Sequence, residues 1–340
     1  MEKLGVAILG TGSVAGEHIR AFRENPRTEV RAILSRDRDR AHAKAEAFGL
    51  QNCRGYDHLD EILAAPGIHI VSICTPHHLH VPQGVAAARA RKHLLIEKPV
   101  ALNLEGLRKL QSAVADAKVR TVVSFVLRWN PLFEVIRSLL GEGVLGKLFY
   151  GEVDYMNSSG PWSRQYEWNI KKDIGGSSLL TGGCHAVDGL RWFMGREAIE
   201  VFAAANTSPS NPLHYEYEPN SVTLLKFEGG AMGKVASSIE CVMPYVLNIE
   251  LLGDEGSIRN NHVYSRRWKG QQDWATIPTA LPDSGDVRHH PFQSEVDHLV
   301  DCIINEHESH ANLDDAAKTH EICFASEISA RENRPVKLPL

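Results

Sequence analysis

Apolar and polar positions follow two different textures along this chain. From the start to about residue 125, short apolar runs predict strands at Leu4 to Leu9, Val30 to Leu34, Ile68 to Cys74, Leu94 to Ile96 and Val122 to Phe125. Helical spacing between them predicts helices from about Val14, over Asp37 to Phe48, Asp57 to Ala64, Val81 to Ala90 and Leu104 to Ala117. Strands that are apolar throughout and separated by helices imply right-handed crossovers and a parallel sheet covered on both faces. After Pro131 the texture changes to LFYGEVDYM, IEVFAAANT, SVTLLKF, AMGKVASSIE and YVLNIELLG, most of them a turn apart. That spacing predicts an open, largely antiparallel sheet, one face covered by helices and the other left for solvent or a partner subunit. Phe292 to Asn305 and Asp314 to Glu332 are again helical, residues 268 to 291 predict a long loop, and RPVKLPL is extended.

At 340 residues the chain exceeds what one core serves. The textures divide it into an α/β domain with a doubly wound parallel sheet over 1–125 and an α+β domain over 126–340, whose closing tail is placed to return to the first. Basic residues number 37 and acidic ones 42, interspersed along the chain, so no basic face for nucleic acid is expected and small ligands are the expected partners. The six cysteines form no C-x-x-C pair, as expected of reduced thiols. No apolar stretch approaches the roughly 20 residues of a membrane span, and since Met1 leads within a few residues into a strand, no signal peptide is expected. A cytoplasmic protein is expected.

Between the first strand and first helix, VAILGTGSVAGEHI places Gly10, Thr11, Gly12, Ser13, Val14 and Ala15 as a G-x-G-x-x-A turn. Gly10 allows the tight turn, Gly12 lets a pyrophosphate approach the backbone, and Ala15 permits close packing of helix on strand. The end of the second strand, where the adenosine ribose is read, carries Ser35 and Arg36 rather than an acidic residue. Arg36, with Arg38 and Arg40 behind it, suits a 2'-phosphate, so NADP is the preferred cofactor and NAD the alternative. The other reading makes Asp37 a helix cap and the arginines its solvated face. Ligands of parallel sheets collect outside the carboxyl ends of the strands, which here are Gly10, Ser35, Cys74-Thr75-Pro76 and Glu97-Lys98-Pro99. Lys98 is therefore a cleft lysine rather than a surface charge.

Two stretches, EKP at 97–99 and GGSSLLTGGCHAVD at 175–188, bring a resemblance. In their order and separation the chain resembles the Gfo/Idh/MocA oxidoreductases, named for glucose-fructose oxidoreductase and inositol dehydrogenase. The likeness extends through SFVLRWNP, HHPFQSEVDHLVDCI and RPVKLPL. It implies a dehydrogenase or reductase that acts on a carbinol carbon of sugars, inositols or related polyols with NAD or NADP. It also implies that Lys98 and His185 lie beside the nicotinamide, His185 suited to acid or base work and Lys98 to stabilising developing charge. Thr75 and Pro76 then shape the nicotinamide pocket, with Cys74, His80 and Glu97 beside the cofactor. Many relatives carry aspartate four residues before the histidine, where this chain has Thr181. Thr181 is accordingly expected to bind substrate without acting as a charge relay. Asp188, one helical turn after His185, is a candidate to support the imidazole, to bind substrate, or to pair with Arg191.

Further substrate candidates are Arg128, with Asn130, and the aromatic and charged loop that carries Trp162, Arg164, Tyr166, Trp168 and Lys172. That loop reads equally as an anchor into the second domain or a subunit contact. The histidines His77, His78, His80, His289 and His290 lack metal-ligand spacing, and no metal is expected. Two other functions share the fold: a glycosidase that oxidises its sugar transiently, and a nucleotide-sensing regulator that needs neither Lys98 nor His185. A homodimer or homotetramer through the second-domain sheet is the expected assembly.

Overall fold

The computed structural model describes residues 3–210, 212–279, 281–282 and 290–340. Within the predicted loop 268–291, residues 280 and 283–289, including His289, lie outside that description. The contacts divide the chain into two units, the first comprising the chain through Phe125 with Pro291–Ala317, the second Val126–His290 with Lys318–Leu340.

The first unit is built on a six-stranded sheet of β1 (Leu4–Leu9), β2 (Thr28–Leu34), β3 (Arg54–Tyr56), β4 (Ile70–Ile73), β5 (His93–Ile96) and β6 (Thr121–Val123). Its order is β3-β2-β1-β4-β5-β6 with every pair parallel. The connections are α1 (Ser13–Glu24), α2 (Arg38–Ala47), α3 (Leu59–Ala64), α4 (His80–Arg89) and α5 (Leu104–Ala117). β1, β4 and β5 are buried almost throughout, which is why they read as uninterrupted apolar runs. β3, with the sequence Arg-Gly-Tyr, is too short and mixed to show a period and escapes the sequence pattern.

The second unit contains a nine-stranded sheet and α6 (Pro131–Gly141), α7 (Tyr166–Asn169), α8 (Lys172–Gly175) and α9 (Cys184–Met194). Its strands are β7 (Leu148–Met156), β8 (Ala198–Asn206), β9 (Asn220–Phe227), β10 (Met232–Ser238), β11 (Val246–Gly253), β12 (Gly256–Arg259), β13 (His262–Ser265), β14 (Ala275–Thr276) and β15 (Val336–Lys337). The order is β14-β13-β12-β11-β7-β10-β9-β8-β15, antiparallel except for β7 with β10. Leu190 and Met194 of α9 close on Gly151 of β7, so this face of the sheet is core.

Two boundaries differ from the sequence pattern. The segment after residue 290, assigned by pattern to the second domain, begins with α10 (Phe292–Ile304), which belongs to the first unit and packs on α1. Beyond it, the Val123 N–H donates to the Ala311 carbonyl and the Leu313 N–H to Thr121 Oγ1, tying the segment to β6. An amphipathic period shows that a helix covers something, not what it covers. The tail, expected to return to the first domain, instead pairs Val336 with Val201 of β8 inside the second unit. Helix α11 (Leu313–Glu332) starts in one unit and belongs to the other from Lys318. No helix among the described residues is long and apolar enough to cross a membrane.

Candidate active-site residues in the two units

In the first unit the strand order reverses between β1 and β4, which opens a crevice at their carboxyl ends. Gly10 leaves β1 at φ +112°, and a Cβ there would stand 2.6 Å from the Cys74 carbonyl oxygen. Only glycine makes that turn. Gly12 caps α1 without a side-chain hydrogen bond, and a Cβ built on it meets nothing within 4 Å. The first turn of α1 carries no acidic residue, so its N–H groups and open approach fit a dinucleotide pyrophosphate. Thr11 Oγ1 lies 3.3 Å from Ser35 Oγ, joining the turn to the end of β2. Ser13 is exposed, Val14 half-buried and Ala15 buried against the sheet. Arg36 is exposed and makes no hydrogen bond or ion pair among the described residues, whereas Arg38 is taken up by Asp57 and Glu61. A residue the pattern missed is Lys44, whose ammonium donates to the Gly12 carbonyl at 3.1 Å.

Lys98 is half-buried at the end of β5, followed by a cis peptide to Pro99. Its neighbour Glu97, expected beside the cofactor, is buried and turned inward. Glu97 Oε1 lies 3.0 Å from His18 Nε2 on α1, and Glu97 Oε2 accepts from the Lys98 N–H at 3.2 Å. His80 is fully buried, its ring nitrogens 2.7 Å from the Pro99 and Thr75 carbonyl oxygens. Its ring lies between those two loops, and burial lowers its pKa. Thr75 donates to Gln83 at 2.7 Å, Pro76 is half-buried, and Cys74 is buried.

In the second unit, residues Leu179–Gly183 form a π-helical turn that delivers His185 as the second residue of α9. A Cβ on Gly182 would stand 2.3 Å from the Tyr155 ring, and one on Gly183 would stand 2.6 Å from Ser237 Oγ. The glycine pair therefore lets the turn lie directly on β7 and β10. His185 is buried beside Tyr155, ring centroids 6.4 Å apart and nearly parallel. Tyr245 meets Tyr155 edge-on at 5.4 Å, an aromatic platform that pattern reasoning missed because the two tyrosines lie 90 residues apart, one on β7 and one just before β11.

Several expected substrate residues are already engaged. Thr181 is buried, and its hydroxyl donates to Asn169 Oδ1 at 3.0 Å and to the Gly175 carbonyl at 3.1 Å. Asp188 accepts both arms of Arg128, at 2.7 and 2.5 Å, and the Thr319 hydroxyl at 3.1 Å. Arg128 also stacks over Trp192, 4.6 Å from the ring centroid. Arg128 and Asp188 thus form a buried ion pair, and Arg191 turns to Glu197 and Thr319. Of the aromatic loop, Trp162 is 70% exposed and packs over Gly160, Arg164 is exposed, and Trp168 is half-buried. Among the described residues no cluster of three or more His, Cys, Asp or Glu side chains is placed to hold a metal ion.

Comparison with known proteins adds the following. Residues 4–125 match the model of an oxidoreductase family with an NAD-binding Rossmann fold, and residues 133–259 match the GFO/IDH/MocA C-terminal domain. An uncharacterized oxidoreductase of Rhizobium meliloti is 31% identical, over 76% of this chain and 74% of its own. The scyllo-inositol 2-dehydrogenase (NAD(+)) of Bacillus subtilis is 25% identical over 98% of this chain and 95% of its own. The crystal structure of GenD2 from gentamicin A biosynthesis, in complex with NAD, superposes with a TM-score of 0.84 at 26% identity, covering 100% of this chain and 97% of that one.

Proposed function

The chain belongs to the GFO/IDH/MocA family of NAD-binding oxidoreductases, and from that premise we propose that it is a dehydrogenase or reductase of a sugar, inositol or related polyol. The proposed reaction interconverts a carbinol and a ketone, with NADP as the dinucleotide and NAD as the alternative. One observation supports this above the rest: a single edge of the first unit's sheet carries the Gly10–Gly12 turn, the Thr75 loop and Lys98. Bound at that turn, the dinucleotide supplies or takes up the hydride. The protein's own residues handle the rest. The open backbone at Gly12 and the first turn of α1 hold the pyrophosphate, and Arg36 meets the 2'-phosphate.

Removing a hydride from carbon requires that the hydroxyl lose its proton, so a base and a charge-stabilising donor are both needed. We assign the proton transfer to His185 and stabilisation of the alkoxide to Lys98. Thr181 and Asp188 are left out of this assignment, since their side chains are bound elsewhere. The test is incubation with NADP or NAD against a panel of inositols, aldoses and ketosugars, reading absorbance of the reduced dinucleotide. Lys98→Ala and His185→Ala are each expected to lower kcat by about 10²–10⁴-fold, the range of such groups. Turnover unchanged in both variants overturns the assignment. Bond cleavage without change in the dinucleotide would favour the glycosidase.

The proposed partner is a second copy of this chain. By register, Phe202, Val222, Leu224 and Met232 stand on the sheet face away from α9, each 40–57% exposed, with Lys226, Lys234 and Glu200 between them.

A further inference from the structure

Beneath the glycine turn lies a set of buried polar groups that the chemistry above does not use. His18 of α1 is fully buried, its Nδ1 2.8 Å from Ser72 Oγ of β4 and its Nε2 3.0 Å from Glu97 Oε1. Glu97 in turn receives the backbone N–H of Lys98. Into the same compartment α10 sends Glu295, also fully buried. Its Oε2 accepts from the Ser124 hydroxyl at 3.0 Å, while its buried Oε1 has no hydrogen-bond partner among the described residues. Phe292, one turn earlier on α10, sets its ring 5.1 Å from His18.

We propose that Glu295 is a positioning residue for the dinucleotide turn and for Lys98: as a neutral acid beside the His18–Glu97 pair it keeps the start of α1 and the end of β5 in register, and its ionisation undoes that register. The inference rests on the function proposed above.

The charges around the site support it. Burial opposes the His18 cation, but Cys74 and Glu97 beside it raise its pKa well above the usual value. Burial likewise opposes the Glu97 carboxylate, yet the hydrogen bond and charge of His18, with Lys98 and His80 beyond, hold it below the ordinary range. These two therefore form an ion pair. Burial pushes Glu295 up to about 8, Glu97 adds to the rise, and His18 and Ser124 oppose it. Below that pH the buried His18–Glu97 pair is neutral overall. Above it, a second carboxylate joins Glu97 with only Lys98 beyond to offset it, and well above the pKa each further pH unit makes the neutral form about tenfold rarer.

The experiment is a fluorescence titration of the full chain with NADPH from pH 6 to 10, with kcat/KM and melting temperature measured alongside. Wild-type protein is expected to lose about fivefold in affinity from pH 8 to 9 and about tenfold more from pH 9 to 10. Glu295→Gln, the neutral isostere, is expected to bind as wild type at pH 7 and to stay flat through that range. Ser124→Ala removes a hydrogen bond that favours the carboxylate, so its alkaline limb should move to higher pH. A packing role alone would lower the melting temperature of these variants without moving the limb. A wild-type limb absent up to pH 10, shared unchanged by Glu295→Gln, or unmoved in Ser124→Ala overturns the positioning role alone. Wild-type protein that binds neither NADPH nor NADH at pH 7 overturns the functional reading, and this role with it.

Discussion

Arg36 ends in solvent beside Ser35, while two residues later Arg38 is held between Asp57 and Glu61. The sequence pattern treats these arginines alike, but their partners separate them: Arg38 is paired, whereas the Arg36 guanidinium makes no hydrogen bond or ion pair among the described residues. Arg36→Ala is expected to weaken NADP about tenfold or more, about 1.4 kcal/mol per tenfold, and to leave NAD nearly unchanged. Calorimetric titration of both dinucleotides checks this, and equal losses refute the role. The same holds for two of the expected substrate residues, which are found paired with each other. Arg128 and Asp188 lie 60 residues apart, and nothing local to either one announces a buried bidentate pair. A carboxylate one helical turn from a histidine looks like its support until a distant guanidinium claims it.

At the scale of elements, the glycine-rich stretch was legible as a special segment, but its π-helical turn was not. Glycine signals that a backbone must come close to something, and here that something is the Tyr155 ring and Ser237. Gly182→Ala would put a methyl 2.3 Å from the ring, so it is expected to destabilise the second unit by about 1–3 kcal/mol, the ordinary range for overpacking. It should lower activity as well, by shifting His185. Thermal melting and kcat together check it, and an unchanged melting temperature would show that the turn relaxes freely. The strands with clear alternation, β7 to β11, were readable nearly to the residue, because one face is core and the other open. The short β12–β13 hairpin and β3 have too few residues for a period to appear.

For the whole molecule, the exposed side of the nine-stranded sheet sets the expected assembly. Leu224→Arg places a charge among the exposed apolar side chains of that face, and it is expected to convert a dimer or larger species into a monomer by light scattering, with the melting transition kept. A wild-type monomer would remove the proposed partner. The segment Pro291–Ala317 is the other feature of this scale. It follows the second unit in sequence yet belongs to the first, and through it Glu295 reaches Ser124, 171 residues away.

The amino-acid order by itself determined the local facts: a glycine turn after the first strand, a parallel α/β half and a largely antiparallel half, and a lysine at a strand end. Each of these follows from periods of two or 3.6 residues and from backbone chemistry that neighbouring residues carry. Tertiary structure alone decided which way the polar side chains turn. It sent Glu97 inward to His18, gave Asp188 to Arg128, and brought α10 to α1. A buried polar group must find its hydrogen-bond partner wherever packing brings one, and periodicity, a local property, holds no record of that distant choice.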